Sequence, residues 1–228
     1  MVRAFWRLHS KRRKDGMKME EKNELERLKE MLTDSEYRVK GECAVNLLLT
    51  KLDIVNIELN METGRNVIQM RSGRIKSFES TCEKLRKKNL EITGAAALEH
   101  INDLIGTRAI CSYVDDIYRV AEIIKNQNDV RVLKEKDYIR NPKKSGYQSL
   151  HLILSVPISF QGGNQWMKVE LQLRTAAMDY WANLDHQLRY KRGEKEADLL
   201  GSELRECAET VKELDEKMLE MRKKIETI

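Results

Sequence analysis

The sequence predicts an α/β (α+β) fold, a mixed four- to five-stranded sheet packed by helices, with helical N- and C-terminal extensions. Two observations support this prediction. Short apolar or alternating runs, which are typical of strands, lie between residues 107 and 174, whereas both flanks repeat apolar residues at the three- and four-residue spacing of helices. The chain has 228 residues, 41% of them hydrophobic, which suits one domain with a substantial core.

The N-terminal flank predicts two helices between Met17 and about Leu59. Apolar residues recur every three or four positions on both sides of residues 33–36. The sequence there, Thr-Asp-Ser-Glu, is a capping box headed by Thr33, which starts the second helix. Ser77 can cap another helix that continues to Lys88. We assign residues 17–62 to N-terminal helices.

The middle of the chain predicts strands and one crossover. The predicted elements are strands at 107–114, 130–136, 149–156 and 165–174, a helix at 115–126 and a loop at 140–146. The first strand, the helix and the second strand form a unit that typically crosses over onto a single sheet. Gly162 and Gly163 mark the turn between the last two strands. Helices must cover a sheet of this kind.

The C-terminal flank predicts a long helical segment with a continuous apolar seam. A helix begins after Thr175, and from Leu200 onward apolar residues follow a strict 4-3 rhythm. The seam residues are Leu200, Leu204, Cys207, Val211, Leu214, Met218, Met221 and Ile225. This seam either folds back on the N-terminal helices or meets another subunit. We assign residues 193–228 to a C-terminal helix for oligomerisation.

The last predicted strand alternates strictly between apolar and polar residues, which places Glu170, Gln172 and Arg174 on one face. His151 alternates in the same way in the preceding strand. If the two strands pair with these faces aligned, an acid, an amide, a guanidinium and an imidazole project together, as in a functional site. The alternative is an antiparallel sheet with one face in solvent, and the pattern alone does not separate the two.

The net charge is +5, and its clearest local feature is a basic N-terminal segment. We expect residues 1–16 to form a basic, disordered tail, with RNA contact as the alternative. No apolar run reaches the length of a membrane helix, and no secretory signal follows the basic residues. The four cysteines match no metal, redox or disulfide pattern, which predicts buried reduced thiols in a cytoplasmic protein without a membrane partner.

Acids and cations in the middle of the chain suggest phosphoryl or pyrophosphoryl transfer. Such chemistry needs carboxylates that hold Mg²⁺ and cations that neutralise phosphate oxygens. Neither a P-loop nor a dinucleotide-binding glycine motif is present. Each candidate taken alone is also an ordinary surface charge. The candidates are Arg74, Lys76, Lys84, Asp103, Arg108, Lys136, Lys143, Lys144 and Glu170.

Five motifs occur in the order found in one protein family. They are RIKSFES at 74–80 with KL at 84–85, DLIGTR at 103–108, KDYI at 136–139, PK at 142–143 with GYQSLH at 146–151, and VELQLRT at 169–175. These motifs closely resemble the synthetase domain of RelA/SpoT alarmone synthetases. AMDYWA at 177–182, followed by LDH at 184–186, is similar to the small single-domain members called RelP and RelQ. The resemblance covers roughly residues 65–191, and we assign 63–192 to a RelA/SpoT-like synthetase domain.

The resemblance implies a cytoplasmic, Mg²⁺-dependent GTP pyrophosphokinase of the stringent response, which moves the β,γ-pyrophosphate of ATP to the 3′-hydroxyl of GTP or GDP. The products are then AMP and the alarmones (p)ppGpp. Asp103 and Glu170 match the catalytic acids that hold the metal. The implied ATP-binding residues are Arg74, Lys76, Ser80, Lys84 and Arg108, and the implied GTP- or GDP-binding residues are Lys136, Lys143, Tyr147, His151 and Gln172. RelP and RelQ relatives are homotetramers, which implies a homo-oligomer here.

Several alternatives stay open at this point. The same transfer could use another acceptor, either the 3′ end of tRNA or an adenine nucleotide. The chain could instead be an RNA-binding regulatory oligomer with single-stranded RNA as its partner, although paired acids near cations disfavour a pure binder. Ser145 stands near Tyr147 where many relatives have Asn, so the preference among GTP, GDP and GMP is not predicted.

Overall fold

The computed structural model describes residues 19, 22–199 and 201–227. Its strands are β1 (Ile68–Ile75), β2 (Ile105–Cys111), β3 (Arg131–Asp137), β4 (Leu150–Phe160) and β5 (Gly163–Thr175). They form one five-stranded sheet in the order β1-β2-β5-β4-β3. The pair β2 and β5 is parallel, and the other neighbouring pairs are antiparallel. The predicted mixed sheet is therefore confirmed.

Helices flank the sheet at both ends of the described chain, as predicted. They are α1 (22–33), α2 (Ser35–Thr63), α3 (Phe78–Lys87), α4 (Gly94–His100), α5 (Val114–Lys125), α6 (Ala176–Leu199) and α7 (Gly201–Glu226). None of the described helices is long and apolar enough to cross a membrane. The basic tail predicted at 1–16 and the seam residue Leu200 lie outside the described residues.

The capping box correctly predicts where α2 starts, but the N-cap residue that it predicts, Thr33, is wrong. Asp34 is the cap, and its carboxylate accepts a hydrogen bond from the Tyr37 amide at 2.9 Å. The hydroxyl of Thr33, the predicted cap, donates back to the Lys29 carbonyl at 2.7 Å and belongs to the end of α1. Two neighbouring residues can each serve as a cap, and the sequence does not decide between them.

The predicted crossover is present, but its two strands are not neighbours. α5 joins β2 to β3, which run parallel within one sheet with β5 and β4 between them. The short α4 has no counterpart in the sequence prediction. The same is true of β1, an edge strand whose residues are mostly exposed and show no alternation.

Gly73 explains why β1 escapes prediction. An isolated glycine between predicted elements commonly marks a turn. Gly73 instead lies inside the strand, where an added Cβ would meet Val45 Cγ1 of α2 at 2.2 Å. Glycine at this position allows α2 to pack closely on the strand. The glycine therefore marks the close approach of α2 to β1 and not a turn of the chain.

The main core packs α2 and α5 against one face of the sheet. That face consists of alternate residues of the central strands, namely Leu150, Leu152 and Leu154 of β4 and Val169, Leu171 and Leu173 of β5. The intervening residues point to the opposite face, because side chains alternate along a strand. Burial of the apolar set fixes the register in which polar residues line that second face.

α7 packs against α6 and α5 of its own chain. Leu204 and Ala208 are buried there, and Arg222 forms an ion pair with Asp115 of α5. The outer part of the predicted seam stays exposed. Leu214, Met218, Met221 and Ile225 are 44–70% exposed. The packing partner within the chain is thus α6 with α5, whereas the sequence offered the N-terminal helices or another subunit.

The four cysteines differ in their exposure to solvent. Cys82 and Cys111 are buried, as predicted, whereas Cys43 and Cys207 are exposed, and all of them are free thiols. The prediction that the cysteines are buried is therefore wrong for Cys43 and Cys207, because both lie on outward faces of helices.

Candidate active site

Two adjacent rows of residues cross the polar face of the sheet. One row contains Arg74, Gly106, Glu170, Ile153 and Lys134, and the next contains Ser72, Arg108, Gln172, His151 and Lys136. The arginines lie on β1 and β2, the lysines lie on β3, and the acid and the amide lie on β5 between them. Residues far apart in the sequence are therefore brought side by side.

Asp103 lies just before β2 at the centre of a cationic cluster. The residue is 5% exposed and accepts hydrogen bonds from Lys84 at 2.7 Å, Lys76 at 3.1 Å and Arg74 at 3.4 Å. Burial by itself raises the pKa of Asp103, but Lys84 and Lys76 outweigh burial and lower that pKa to about 2. Burial lowers the pKa of Lys76, and Asp103 opposes this effect. The structure thus groups four of the predicted residues.

Ser80 forms its hydrogen bonds with Ser77 and not with this cluster. Its hydroxyl accepts from the Ser77 hydroxyl at 3.1 Å, and its amide donates to the same oxygen at 3.2 Å. These contacts cap the first turn of α3.

Glu170 is the second buried acid of the site and is 6% exposed. Its Oε1 lies 3.2 Å from His151 Nδ1, and its Oε2 accepts from Gln172 Nε2 at 2.8 Å. Burial by itself raises the pKa of Glu170, but the contacts with His151 and Gln172 outweigh burial and lower it. Burial also lowers the pKa of His151, so the imidazole is neutral at neutral pH. The contact between the two residues is then a hydrogen bond and not an ion pair.

Arg174 closes a ring of hydrogen bonds around Glu170. Its Nη2 donates to the Tyr147 hydroxyl at 2.6 Å and to Gln172 Oε1 at 3.0 Å. The Tyr147 hydroxyl lies 2.8 Å from His151 Nε2 and donates to it when the Nδ1 proton faces the acid. Two routes therefore lead from the guanidinium to the two carboxylate oxygens. The predicted grouping of acid, amide, guanidinium and imidazole is confirmed.

The loop before β4 holds Tyr147 against the C-terminal helix. Gly146 has a φ of +90°, and an added Cβ there would meet the Cβ of Ala208 at 2.5 Å. Gln148 Nε2 donates to the Ala208 carbonyl at 3.3 Å. This contact between the loop and α7 has no signal in the sequence patterns, because the two segments are about sixty residues apart.

Lys143 and Lys136 lie on the same side of the site as Tyr147. Lys143 Nζ lies 4.4 Å from the centre of the Tyr147 ring and 4.7 Å from that of Tyr138. Lys136 is directly opposite His151 in the ladder between β3 and β4. Burial lowers the pKa of both lysines, and neighbouring cations lower it further. Lys144, the remaining candidate cation, is exposed.

Asp179, in the first turn of α6, belongs to this site. It lies within the AMDYWA motif at 177–182, but no role is assigned to it from the sequence. Its Oδ1 accepts from Arg108 Nη1 at 3.0 Å and from Arg174 Nη1 at 2.9 Å. The sequence places Arg174 on the polar face but gives it no role. Alternation along a strand reveals the face of a residue, whereas a contact between two strands and the following helix depends on the folded path of the chain.

The two buried acids suit Mg²⁺ by their chemistry. Both have a lowered pKa, so both carboxylates are ionised at neutral pH. The charge on Asp103 raises the pKa of Glu170, which places the two within electrostatic range. Magnesium is commonly bound by one or two carboxylates together with substrate phosphates. In the described part of the chain, no group of three or more His, Cys, Asp or Glu side chains forms a metal site by itself.

Comparison with known proteins gives one consistent result. A family model described as "Region found in RelA / SpoT proteins" matches residues 73–195. GTP pyrophosphokinase YwaC of Bacillus subtilis is 44% identical over 183 residues, which cover 80% of this chain and 87% of YwaC. The crystal structure of small alarmone synthetase 2 from B. subtilis is 41% identical with a TM-score of 0.71, and the match covers 82% of this chain and 96% of that one.

A further solved structure includes a bound nucleotide. Small alarmone synthetase 1 from B. subtilis, bound to its product pppGpp, is 33% identical with a TM-score of 0.75, and the match covers 83% of this chain and 96% of that one. The family model spans more than half of the chain, and these relatives are covered nearly over their whole length. We conclude that this chain belongs to the RelA/SpoT family.

Proposed function

We propose that the protein is a GTP pyrophosphokinase, which transfers the β,γ-pyrophosphate of ATP to the 3′-hydroxyl of GTP or GDP and releases AMP. The products are pppGpp from GTP and ppGpp from GDP. The position of Glu170 carries this proposal, because this buried, ionised acid lies between a cationic cluster and an aromatic, lysine-lined loop. The similarity to the GTP pyrophosphokinase YwaC and to the relative bound to its product pppGpp supports the same reaction.

The cationic cluster forms the donor site of this proposal. Arg74 and Lys84 have partly exposed side chains, so both can turn from Asp103 toward the phosphates of ATP. Lys76 is buried and stays on the acid. Arg108 offers a planar guanidinium, which suits both phosphate binding and stacking on a base. Ser80, whose hydroxyl lies in the first turn of α3, also belongs to the ATP site in this proposal.

Asp103 and Glu170 are the residues that would hold Mg²⁺ in this site. When bound, the ion supplies positive charge that stabilises the phosphate oxygens as the bond to the leaving group breaks. The lysines and arginines around Asp103 supply charge of the same sign from the protein itself.

Glu170 is also the residue that we assign to removal of the proton. The 3′-oxygen of the acceptor attacks the β-phosphorus of ATP, the bond from that phosphorus to the oxygen of the α-phosphate breaks, and AMP leaves. The proton of the 3′-hydroxyl passes to a carboxylate oxygen of Glu170. Because the carboxylate is ionised and His151 is neutral, the pair can accept this proton at neutral pH.

The acceptor site lies on the opposite side of Glu170 from the cationic cluster. The Tyr147 ring stacks on guanine in this proposal, and exposed Lys143 moves from the ring face to make room for the base. Lys136 neutralises the 5′-phosphates of the acceptor. His151 and Gln172 hold the ribose side near the acid, since each already contacts one carboxylate oxygen.

We also propose that the chain acts in the cytoplasm as a homotetramer within the stringent response. The exposed apolar residues on α7 support a subunit interface, because exposed apolar stripes on helices favour association. Light scattering on the purified protein gives the mass directly. A monomer at micromolar concentration would contradict the tetramer.

The test of the proposed function is a transfer assay. Purified protein is incubated with Mg²⁺, ATP labelled in the γ-phosphate, and in turn GTP, GDP, GMP or deacylated tRNA. We expect label in the 3′-diphosphate of GTP or GDP and an equal amount of AMP. Glu170→Gln should lower the rate by about 100-fold or more, whereas Glu209→Gln, an exposed acid on α7, should leave it unchanged.

Other outcomes are equally informative. Label on tRNA or on an adenine nucleotide alone keeps the chemistry and replaces the acceptor. No transfer to any acceptor by a folded oligomer contradicts the enzyme. In that case an RNA-binding regulatory oligomer becomes the better interpretation, and a salt-dependent shift of single-stranded RNA that disappears on deletion of residues 1–14 would support it.

A further inference from the structure

Two guanidinium groups share one carboxylate oxygen at the edge of the site. Asp179 Oδ1 accepts from Arg108 Nη1 at 3.0 Å and from Arg174 Nη1 at 2.9 Å, while Oδ2 accepts from Asn183 Nδ2 at 3.0 Å. Arg174 is 5% exposed, and its Nε is buried without a partner among the described residues. Asp179 is therefore the counter-ion of an arginine pair in which Arg174 is buried and Arg108 is partly exposed.

The arginine pair needs this counter-ion on electrostatic grounds. Burial lowers the pKa of Arg108, the charge of Arg174 lowers it further, and Asp179 acts in the opposite direction. Like charges that are partly removed from water repel strongly unless an anion lies between them. Without the carboxylate, the two guanidinium groups are expected to move apart.

Movement of Arg174 would reach Glu170 although the two residues share no direct hydrogen bond in the described part of the chain. One route runs through the Tyr147 hydroxyl and His151 to Oε1, and the other runs through Gln172 to Oε2. Arg174 is the common origin of both routes. The orientation of the acid therefore depends on where Asp179 holds this guanidinium.

Arg108 connects the same carboxylate to the donor side. It lies on β2 in the row that also contains Gln172 and His151. The carboxylate of Asp179 thus touches one residue that we assign to ATP and one that supports the acid and the acceptor loop. No other described side chain accepts from both arginines.

We propose that Asp179 is a positioning residue of the pyrophosphate transfer, which holds Arg108 for the donor nucleotide and Arg174 for the orientation of Glu170. The proposal rests on the proposed function and concerns the same site. Asp179 does not bind substrate in this proposal. Its substitution should therefore lower kcat and, through the displaced Arg108, raise the KM for ATP, while the KM for GTP changes little.

The test compares Asp179→Asn with Asn183→Ala. The first keeps the shape and removes the charge, and we expect kcat to fall by about 100-fold, the scale of a misplaced catalytic group. The second removes only the hydrogen bond to Oδ2 and should leave kcat within about twofold. Calorimetric titration with a non-hydrolysable ATP analogue should still give one site per chain, which separates misplacement from unfolding. Asp179→Glu, which keeps the charge, should recover part of the rate.

A double-mutant cycle with Tyr147→Phe distinguishes a positioning role of Asp179 from a purely structural one. It measures whether the effects of the two substitutions on kcat are independent. Both substitutions interrupt the path through Arg174, so their effects on kcat should be clearly less than multiplicative. Fully multiplicative effects, or an unchanged kcat in Asp179→Asn, would overturn the proposal. If Asp179→Asn does not fold, Asp179→Ser, which admits water to the arginine pair, takes its place. An inactive wild-type protein would instead contradict the proposed function.

Discussion

His151 and Gln172 are directly opposite each other in the ladder between β4 and β5, and their side chains reach different oxygens of Glu170. One neighbour is an imidazole and the other is an amide two residues along the same strand. Each therefore fixes the position of one carboxylate oxygen. The acid at the centre of the site is held by the register of the sheet and not by a flexible loop.

Substitutions of Tyr147 should separate its hydroxyl from its ring. Tyr147→Phe deletes the group that links Arg174 to His151, and we expect kcat to fall by about tenfold while the KM for GTP stays unchanged. Tyr147→Ala also removes the stacking surface, and the KM for GTP should rise by about tenfold or more. Steady-state kinetics with GTP as the varied substrate measure both. An increase in KM alone for the phenylalanine variant would contradict this division.

Gly146→Ala should disturb the acceptor loop specifically. The added methyl group would lie 2.5 Å from the Ala208 Cβ at a φ of +90°, so the loop must leave α7. We expect a raised KM for GTP and an unchanged KM for ATP. Gly162→Ala is the matched control, since it has a φ of +78° but open space around it. That control should cost about 1 kcal/mol of stability with both KM values retained, and equal kinetic effects would count against the loop contact.

Asp103→Asn should change how stability depends on pH. The pKa of Asp103 is about 2 in the folded protein and about 3.9 in an unfolded chain. A lowered folded pKa contributes stability that is present above the unfolded value and is lost as pH falls from about 4 toward 2. The wild type should therefore exceed the variant by about 2 kcal/mol at pH 7, and the difference should shrink in urea unfolding below about pH 4.

A surface pair provides the control for this pH experiment. Asp53 pairs with Arg71 and is about as exposed as its partner, at 42% and 43% of the side chain. Asp53→Asn should change the unfolding free energy by less than about 1 kcal/mol at any pH. If Asp103→Asn behaves in the same way, the cationic cluster does not stabilise the folded chain.

Asp215→Asn should stabilise the protein at neutral pH. Asp215 is buried on α7 and accepts from the Thr175 hydroxyl at 2.7 Å. Burial raises its pKa, and the hydrogen bond only partly opposes this effect. An ionised carboxylate in this position costs free energy, and the cost disappears as pH falls through the raised pKa. Thermal unfolding should show a higher Tm for the amide at pH 7 and a shrinking gain toward about pH 4, with Glu213→Gln as the exposed control.

Local patterns in the sequence predict the central part of the site well. Strict alternation from Val169 to Arg174 is sufficient to place an acid, an amide and a guanidinium on one face, because the period of a strand is fixed by its geometry. The same argument adds His151, and the observed ladder brings the four together. The burial of the apolar residues in each strand therefore determines the face on which its polar residues lie.

Features that depend on distant contacts are the ones that the patterns do not predict. The edge strand β1 is mostly exposed, so it has no buried periodicity to reveal it, and its glycine reflects the nearness of α2. Asp179 and Ala208 become part of the site only through the packing of α6 and α7. The contact of Ala208 with Gln148 spans 60 residues of sequence, and that of Asp179 with Arg108 spans 71.

The contact between Gly146 and Ala208 also sets an order of events during biosynthesis. The ribosome delivers both acids, the cations and the loop before α7, and the loop reaches its final packing only when that helix has folded back. Domains form as cooperative units while the chain grows, so competence to bind the acceptor arises late in this one. A nascent or truncated chain that ends before residue 204 contains the acids and cations of the site. It lacks the part of α7 against which the loop at Gly146 packs.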